Sequence, residues 1–94
     1  MRDDRFEWDD AKARANLSKH EVSFEVARRV FDDPAAIDEL DESEAHGELR
    51  FVTVGMVAGD LLSVVYTERE ERLRIISARK ATRREQVRYF SQGS

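Results

Sequence analysis

The stretch RLRIISARKATRRE, Arg72 to Glu85, carries two kinds of local signal. Around Ile75 and Ile76 it has the composition of a β-strand packed on a core. Thr82, followed three residues later by Glu85, spells a capping box, so a helix begins at about Arg83. The segment is also strongly basic, since seven of the chain's sixteen Lys and Arg residues lie between Arg72 and Arg88. Strand alternation sets Arg72, Arg74, Ile76 and Ala78 on one side and Leu73, Ile75, Ser77 and Arg79 on the other. The arginines are thus expected to straddle the sheet.

Upstream, Ala36 to Leu40, Arg50 to Val57 and Leu61 to Glu68 read as further strands, separated by the turn-prone AHGE, AGD and EREE. Links this short join antiparallel neighbours, which predicts a meander. The last helix runs from about Arg83 towards Ser91, with Val87 and Phe90 expected to face inward. At the other end, FEWD (Phe6 to Asp9) is a short strand or extended entry, and Asp9 or Asp10 caps a helix from Asp10 to Lys19 with Leu17 on its apolar side. After a turn at His20 to Val22, Ser23 caps a second helix. In it Phe24, Ala27, Val30 and Phe31 recur at helical spacing, and Asp33 and Pro34 end it. The order predicts an α+β fold: a short N-terminal strand, two helices, an antiparallel β-sheet meander and a C-terminal helix, with the helices on one sheet face. Residues 1–94 are expected to be one domain around one core.

Composition narrows the function. There are no cysteines, so neither a disulfide framework nor a thiolate metal site exists. The start, MRDDRFEWDD, is too charged for a signal peptide and no apolar run reaches the length of a membrane span. A cytoplasmic protein with no membrane partner is expected. The net charge of −4 is unevenly spread: residues 1–48 carry 7 Lys and Arg against 15 Asp and Glu, and residues 49–94 carry 9 against 5. Such polarity suits a molecule offering phosphate one face and a basic partner another.

Three constellations carry chemistry. Lys19 and His20 close the first helix, where the macrodipole favours cations and where an imidazole can move protons near neutral pH. His46, in the acidic ESEAHGE, reads as an exposed loop residue. At the basic strand end, Arg79 follows two isoleucines and needs an anionic partner, either a carboxylate or a phosphate. Lys80, Arg83, Arg84 and Arg88 decorate the last helix and its entry, and Arg83 and Arg84 lie at its N-terminus, where the dipole disfavours cations. Among the aromatics, Trp8 reads as a packing anchor, and Tyr66 as a residue whose hydroxyl could reach the edge of Arg79. No cofactor or metal is expected, because no H-x-x-x-H or carboxylate–histidine cluster has ligand spacing.

Two long motifs resemble a known family. FEWD…K…NLSKHEVSFEVARRVFDD (Phe6 to Asp33) is similar to the N-terminal signature of the BrnT toxins, and RIISARKATRREQVRY (Arg74 to Tyr89) to their C-terminal one. Arg50-Phe51, Gly55 and Val65-Tyr66-Thr67 fall where that family carries similar residues. One departure is Glu21, where the family often has glycine after the Lys-His pair. The resemblance implies a ribonuclease toxin of a type II toxin-antitoxin system with a RelE-like fold. It implies RNA cleavage without metal, inhibition of translation, and neutralisation by a BrnA-type ribbon-helix-helix antitoxin through which alone DNA is contacted. On that basis Arg79, Arg72 and Arg50 are assigned to phosphate and transition-state charge, Lys19 and His20 to proton transfer or backbone contact, and Tyr66, Lys80, Arg83 and Arg84 to RNA binding. The competing reading is a non-catalytic RNA- or protein-binding module, or a co-repressor subunit holding a DNA-binding partner.

Overall fold

The computed structural model describes residues 1–42 and 47–92. His46 lies outside the described residues. Strands β1 (Phe6–Glu7), β2 (Ile37–Asp41), β3 (Arg50–Val57), β4 (Asp60–Arg69) and β5 (Arg72–Lys80) form one sheet in the order β1-β5-β4-β3-β2. The meander from β2 to β5 is antiparallel as expected. The short first strand joins it in parallel, setting Phe6 opposite Leu73 and Glu7 opposite Arg74, so the sheet is mixed. Helix α1 (Asp10–His20) follows the Asp9 cap. Helix α2 (Phe24–Ala27) runs on into a 3-10 turn, Arg28–Asp32, and α3 (Arg83–Ser91) starts at the predicted Thr82–Glu85 capping box.

Strand phase in β5 changes midway. Val65 of β4 lies opposite Ser77 but Tyr66 lies opposite Ile75, which leaves Ile76 as an extra residue in a β-bulge. One inserted residue flips every later side chain to the other face. Leu73, Ile75, Ala78 and Lys80 therefore share a face with Leu62, Val64 and Tyr66, whereas Arg72, Arg74, Ser77 and Arg79 share the opposite one. The expected straddling of the arginines is corrected by this single bulge.

The apolar face holds the core. Phe6, Trp8, Phe24, Ala27 and Val30 pack there on Leu62, Val64, Ile75 and Ala78. Trp8 is the anchor its position suggests, meeting Phe24 edge-on at 5.7 Å. Gly55 lets the 3-10 turn settle on β3, since a Cβ there would lie 2.6 Å from Cγ2 of Val30.

Two helices present faces opposite to those their sequences suggest. In α1 the buried residue is Asn16, and Leu17 is 48% exposed. The cause is the outer edge of β5 beyond β1, where Ala78 has no strand neighbour. The Asn16 amide takes that place: its Oδ1 accepts from Ala78 N–H at 3.1 Å, and its Nδ2 donates to the carbonyls of Ala78 at 2.8 Å and Val22 at 3.0 Å. In α3, Val87 and Phe90 are 56% and 62% exposed and Tyr89 is buried. This helix lies on the sheet face opposite α1 and α2, which corrects the expectation that all helices share one face. Polar bonds set its orientation: Ser63 to Glu85, Arg88 to Glu39, and the Tyr89 hydroxyl to Asp33. Asp33 also accepts from the Met56 N–H at 2.7 Å. Burial alone would raise the Asp33 carboxyl, but Tyr89 and the amides of Met56 and Ala35 hold it below the usual carboxylate range.

Glu21 ends α1 in the left-handed conformation, φ 60°, with its N–H donated to the Leu17 carbonyl. A residue with a Cβ is strained there by about 1–2 kcal/mol. Glu21→Gly should therefore raise stability by roughly 0.5–1 kcal/mol after the extra entropy of glycine in the unfolded chain. A thermal midpoint unchanged or lowered would refute the strain. Asn16→Leu should cost about 3 kcal/mol in denaturant unfolding, because it strands three buried backbone groups. A near wild-type midpoint would show that the amide does not hold the β5 edge.

Candidate functional site

The face opposite the core carries the candidate site. At one end β5 delivers Arg79 beneath the start of α3. Its guanidinium grips the Glu85 carboxylate in two bonds, Nη1 to Oε1 at 2.8 Å and Nη2 to Oε2 at 3.2 Å, and Nη1 also donates to the Lys80 carbonyl. Five N–H groups are available to an arginine. Three are occupied here, so among the described residues Nε and one Nη2 hydrogen stay open on a side chain that is 41% exposed. Glu85 is itself fixed by Ser63 Oγ at 3.0 Å and the Thr82 N–H at 2.8 Å. Burial would raise its carboxyl, but Arg79, Thr82 and Ser63 outweigh that and keep it ionised below the usual range. The capping residue of α3 is thus also the group that orients Arg79.

At the other end of the same face four arginines gather. Arg69 lies opposite Arg72 and Thr67 opposite Arg74, while Arg50 opens β3 beside them. Arg74 pairs with Glu7 at 2.7 Å, and Arg72 Nε donates to the Asp3 carbonyl at 2.7 Å. Arg50 and Arg69 share Glu48 at 3.5 and 3.8 Å. Nε of Arg50 is buried and finds no hydrogen-bond partner among the described residues. Between the two ends run Val52, Val65 and Ser77, all partly exposed, as an open floor. The partners of Arg79 and Arg74 on β4, Ser63 and Thr67, are four positions apart, or about 13 Å at the usual strand rise.

The other candidates are distributed as follows. Lys19 and His20 lie one turn beyond Asn16, which is bonded to Ala78, so they are near the same end of β5 as Arg79 but on the helix that packs on the core side of the sheet. Lys19 is exposed and His20 partly buried. Lys80 points to the core face at its rim, beside Leu62 and Glu21. Arg83 and Arg84 are exposed on the first turn of α3. Tyr66 does not join Arg79: it is buried on the core face against Phe31 and Phe51, and its hydroxyl donates to Asp38 at 2.8 Å. Burial and Asp38 together push that phenol well above the usual tyrosine range. Among the described residues no group of three His, Cys, Asp or Glu side chains is placed to hold a metal ion.

The sequence assigns no site role to Arg69, Arg74, Glu85 or Ser63, which the fold sets on this face. Glu85 is legible as a cap, but its second role needs the bulge that turns Arg79 towards it. No helix among the described residues is long and apolar enough to cross a membrane.

An open sheet floor flanked at both ends by oriented guanidiniums can hold an extended polyanion along its length. No curated protein matches the chain. Residues 8–85, a span that runs from the Trp8 anchor to the Glu85 cap, match the family model of the ribonuclease toxin, BrnT, of type II toxin-antitoxin systems, and the chain belongs to that family.

Proposed function

We propose that this chain is a metal-independent endoribonuclease that cleaves single-stranded RNA on the arginine-bearing sheet face and so inhibits translation in the cytoplasm. Membership of a ribonuclease toxin family implies an RNA target and an antitoxin partner. The carrying observation is the alignment of Arg72, Arg74 and Arg79 on one open face by the bulge at Ile76. A BrnA-type ribbon-helix-helix protein is the proposed antitoxin, and DNA is reached only through it. A RelE-like relationship of the fold belongs to the same proposal.

The chemistry follows from RNA itself. A 2′-hydroxyl attacks its own phosphate, forming a P–O bond while the bond to the 5′-oxygen breaks, with one proton removed and one delivered. Negative charge builds on the phosphoryl oxygens. Arg79 supports stabilisation of that charge, since Glu85 holds its fork in place and two donors remain open among the described residues; preorganised donors act more strongly than mobile ones. Lys19 and His20, near the same strand end, are the proposed proton-transfer pair. Arg50 and Arg72, with Arg69 and Arg74, would hold the flanking phosphates, and Lys80, Arg83 and Arg84 the strand as it leaves past α3. Nothing in this scheme requires a metal ion.

The pairing of Arg79 with Glu85 also favours a second reading, in which the face holds RNA without cutting it. The protein freed of its partner and incubated with RNA in EDTA separates the two. Cleavage to 2′,3′-cyclic phosphate ends is expected, and intact RNA at high protein concentration would overturn the enzyme. Arg79→Ala should lower the rate about 10²–10³-fold, with Arg79→Lys recovering little because a point charge lacks the planar fork. Thermal unfolding must stay near wild type for this loss to count. Arg84→Ala should instead weaken RNA binding and reduce its salt slope by about one phosphate contact.

A further inference from the structure

Exposed apolar side chains scattered singly need no explanation, but here they gather. Leu17 and Val26, 48% and 42% exposed, border a groove floored by Val22 and Leu62. A second groove, bordered by Phe90, is lined by Met56 and Leu61. Both grooves include Asp60 and Lys80, so they meet at the β3–β4 turn and form one continuous surface across that end of the sheet. Its apolar residues face outward because Asn16 and Tyr89, not Leu17 and Phe90, are held inward by polar bonds.

Charge identifies the occupant. Around the Leu17–Val26 half, Glu21, Glu25 and Asp60 outnumber Arg14 and Lys80, while the Asp10 carboxylate is met by the Met1 ammonium at 3.0 Å. Acidic residues repel phosphate, so this is not an extension of the RNA face; it suits a protein segment with an apolar stripe and basic flanks. We propose that the antitoxin docks such an amphipathic segment in the Leu17–Val26 groove and reaches over Lys80 towards Phe90. The inference rests on the toxin reading, which supplies the partner. Lys80 immediately follows Arg79, so a segment seated there lies at the β5–α3 junction, where it would obstruct RNA leaving the catalytic end.

The probe is the protein encoded by the adjacent reading frame, titrated calorimetrically into the full chain. The double variant Leu17→Arg, Val26→Arg replaces two half-exposed residues, so folding is retained and RNA cleavage without the partner should match wild type. Its affinity for the partner should fall about 30-fold or more, the size of a central interface contact. Leu40→Arg with Leu49→Arg, at the opposite end of the sheet, should bind normally. Glu21→Lys with Asp60→Lys should slow association and flatten its salt dependence. Wild-type affinity in the Leu17/Val26 variant overturns the proposal. So does a result in which that variant only abolishes self-association of the purified chain, which would make a second copy the occupant. Lost partner binding in the variant, beside a wild type that leaves RNA intact, would keep the docking site and sink the enzyme.

Discussion

One extra residue in β5 decides what this protein can present to a ligand. Without the bulge at Ile76, alternation would turn Arg79 towards the core beside Leu62 and Val64, where an unpaired guanidinium is costly to bury. With it, Ala78 fills the core and Arg79 reaches Glu85 on the opposite face. A bulge leaves a strand locally unpaired and bent, so it needs support. The Asn16 amide supplies this two residues later by bonding both backbone groups of Ala78. Helix α1 is thereby fastened to the strand whose phase matters most.

The outcome is an acidic molecule with a locally basic face. A net charge of −4 does not oppose RNA binding when the arginines lie on one side, because at physiological salt exposed charges more than about 8 Å apart are largely screened. Most of the described arginines of that face are also held: Arg79 by Glu85, Arg74 by Glu7, Arg72 by the Asp3 carbonyl and, more loosely, Arg50 by Glu48, while Arg69 only neighbours Glu48. Exposed pairs of this kind add little to stability. Their effect is to fix direction, which a guanidinium fork exploits and a lysine cannot.

Polar bonds orient both terminal helices, and apolar side chains are released to the surface as a result. Asn16 in α1 and Tyr89 in α3 take the inward positions because unpaired backbone at the sheet edge and the Asp33 carboxylate need partners there. The apolar, acid-rimmed end is a consequence of this preference, and it meets the arginine-bearing face set by the bulge at the junction between β5 and α3.

Strand positions, helix starts and the capping box were legible in the sequence because each depends on neighbours a few residues apart: Ser23, Thr82 and Glu85 act on the turn beside them, and β3 was bounded as observed from its apolar run. The basic character of the β5–α3 segment was equally plain, and the family signatures pointed to ribonuclease toxins. The strain at Glu21 was foreshadowed by a missing glycine. Which face each arginine occupies was not legible, since a bulge depends on register against β4 and leaves no mark in β5 alone. Nor were the inward faces of α1 and α3, because periodicity counts apolar residues and cannot know that an unpaired strand edge 62 residues away from Asn16 requires an amide. Tyr66 keeps the face that alternation in β4 gives it with Leu62 and Val64, and the bulge turns Arg79 to the other. Local chemistry determined the elements; long-range hydrogen bonding, which the chain makes only once folded, decided which side chains share a surface.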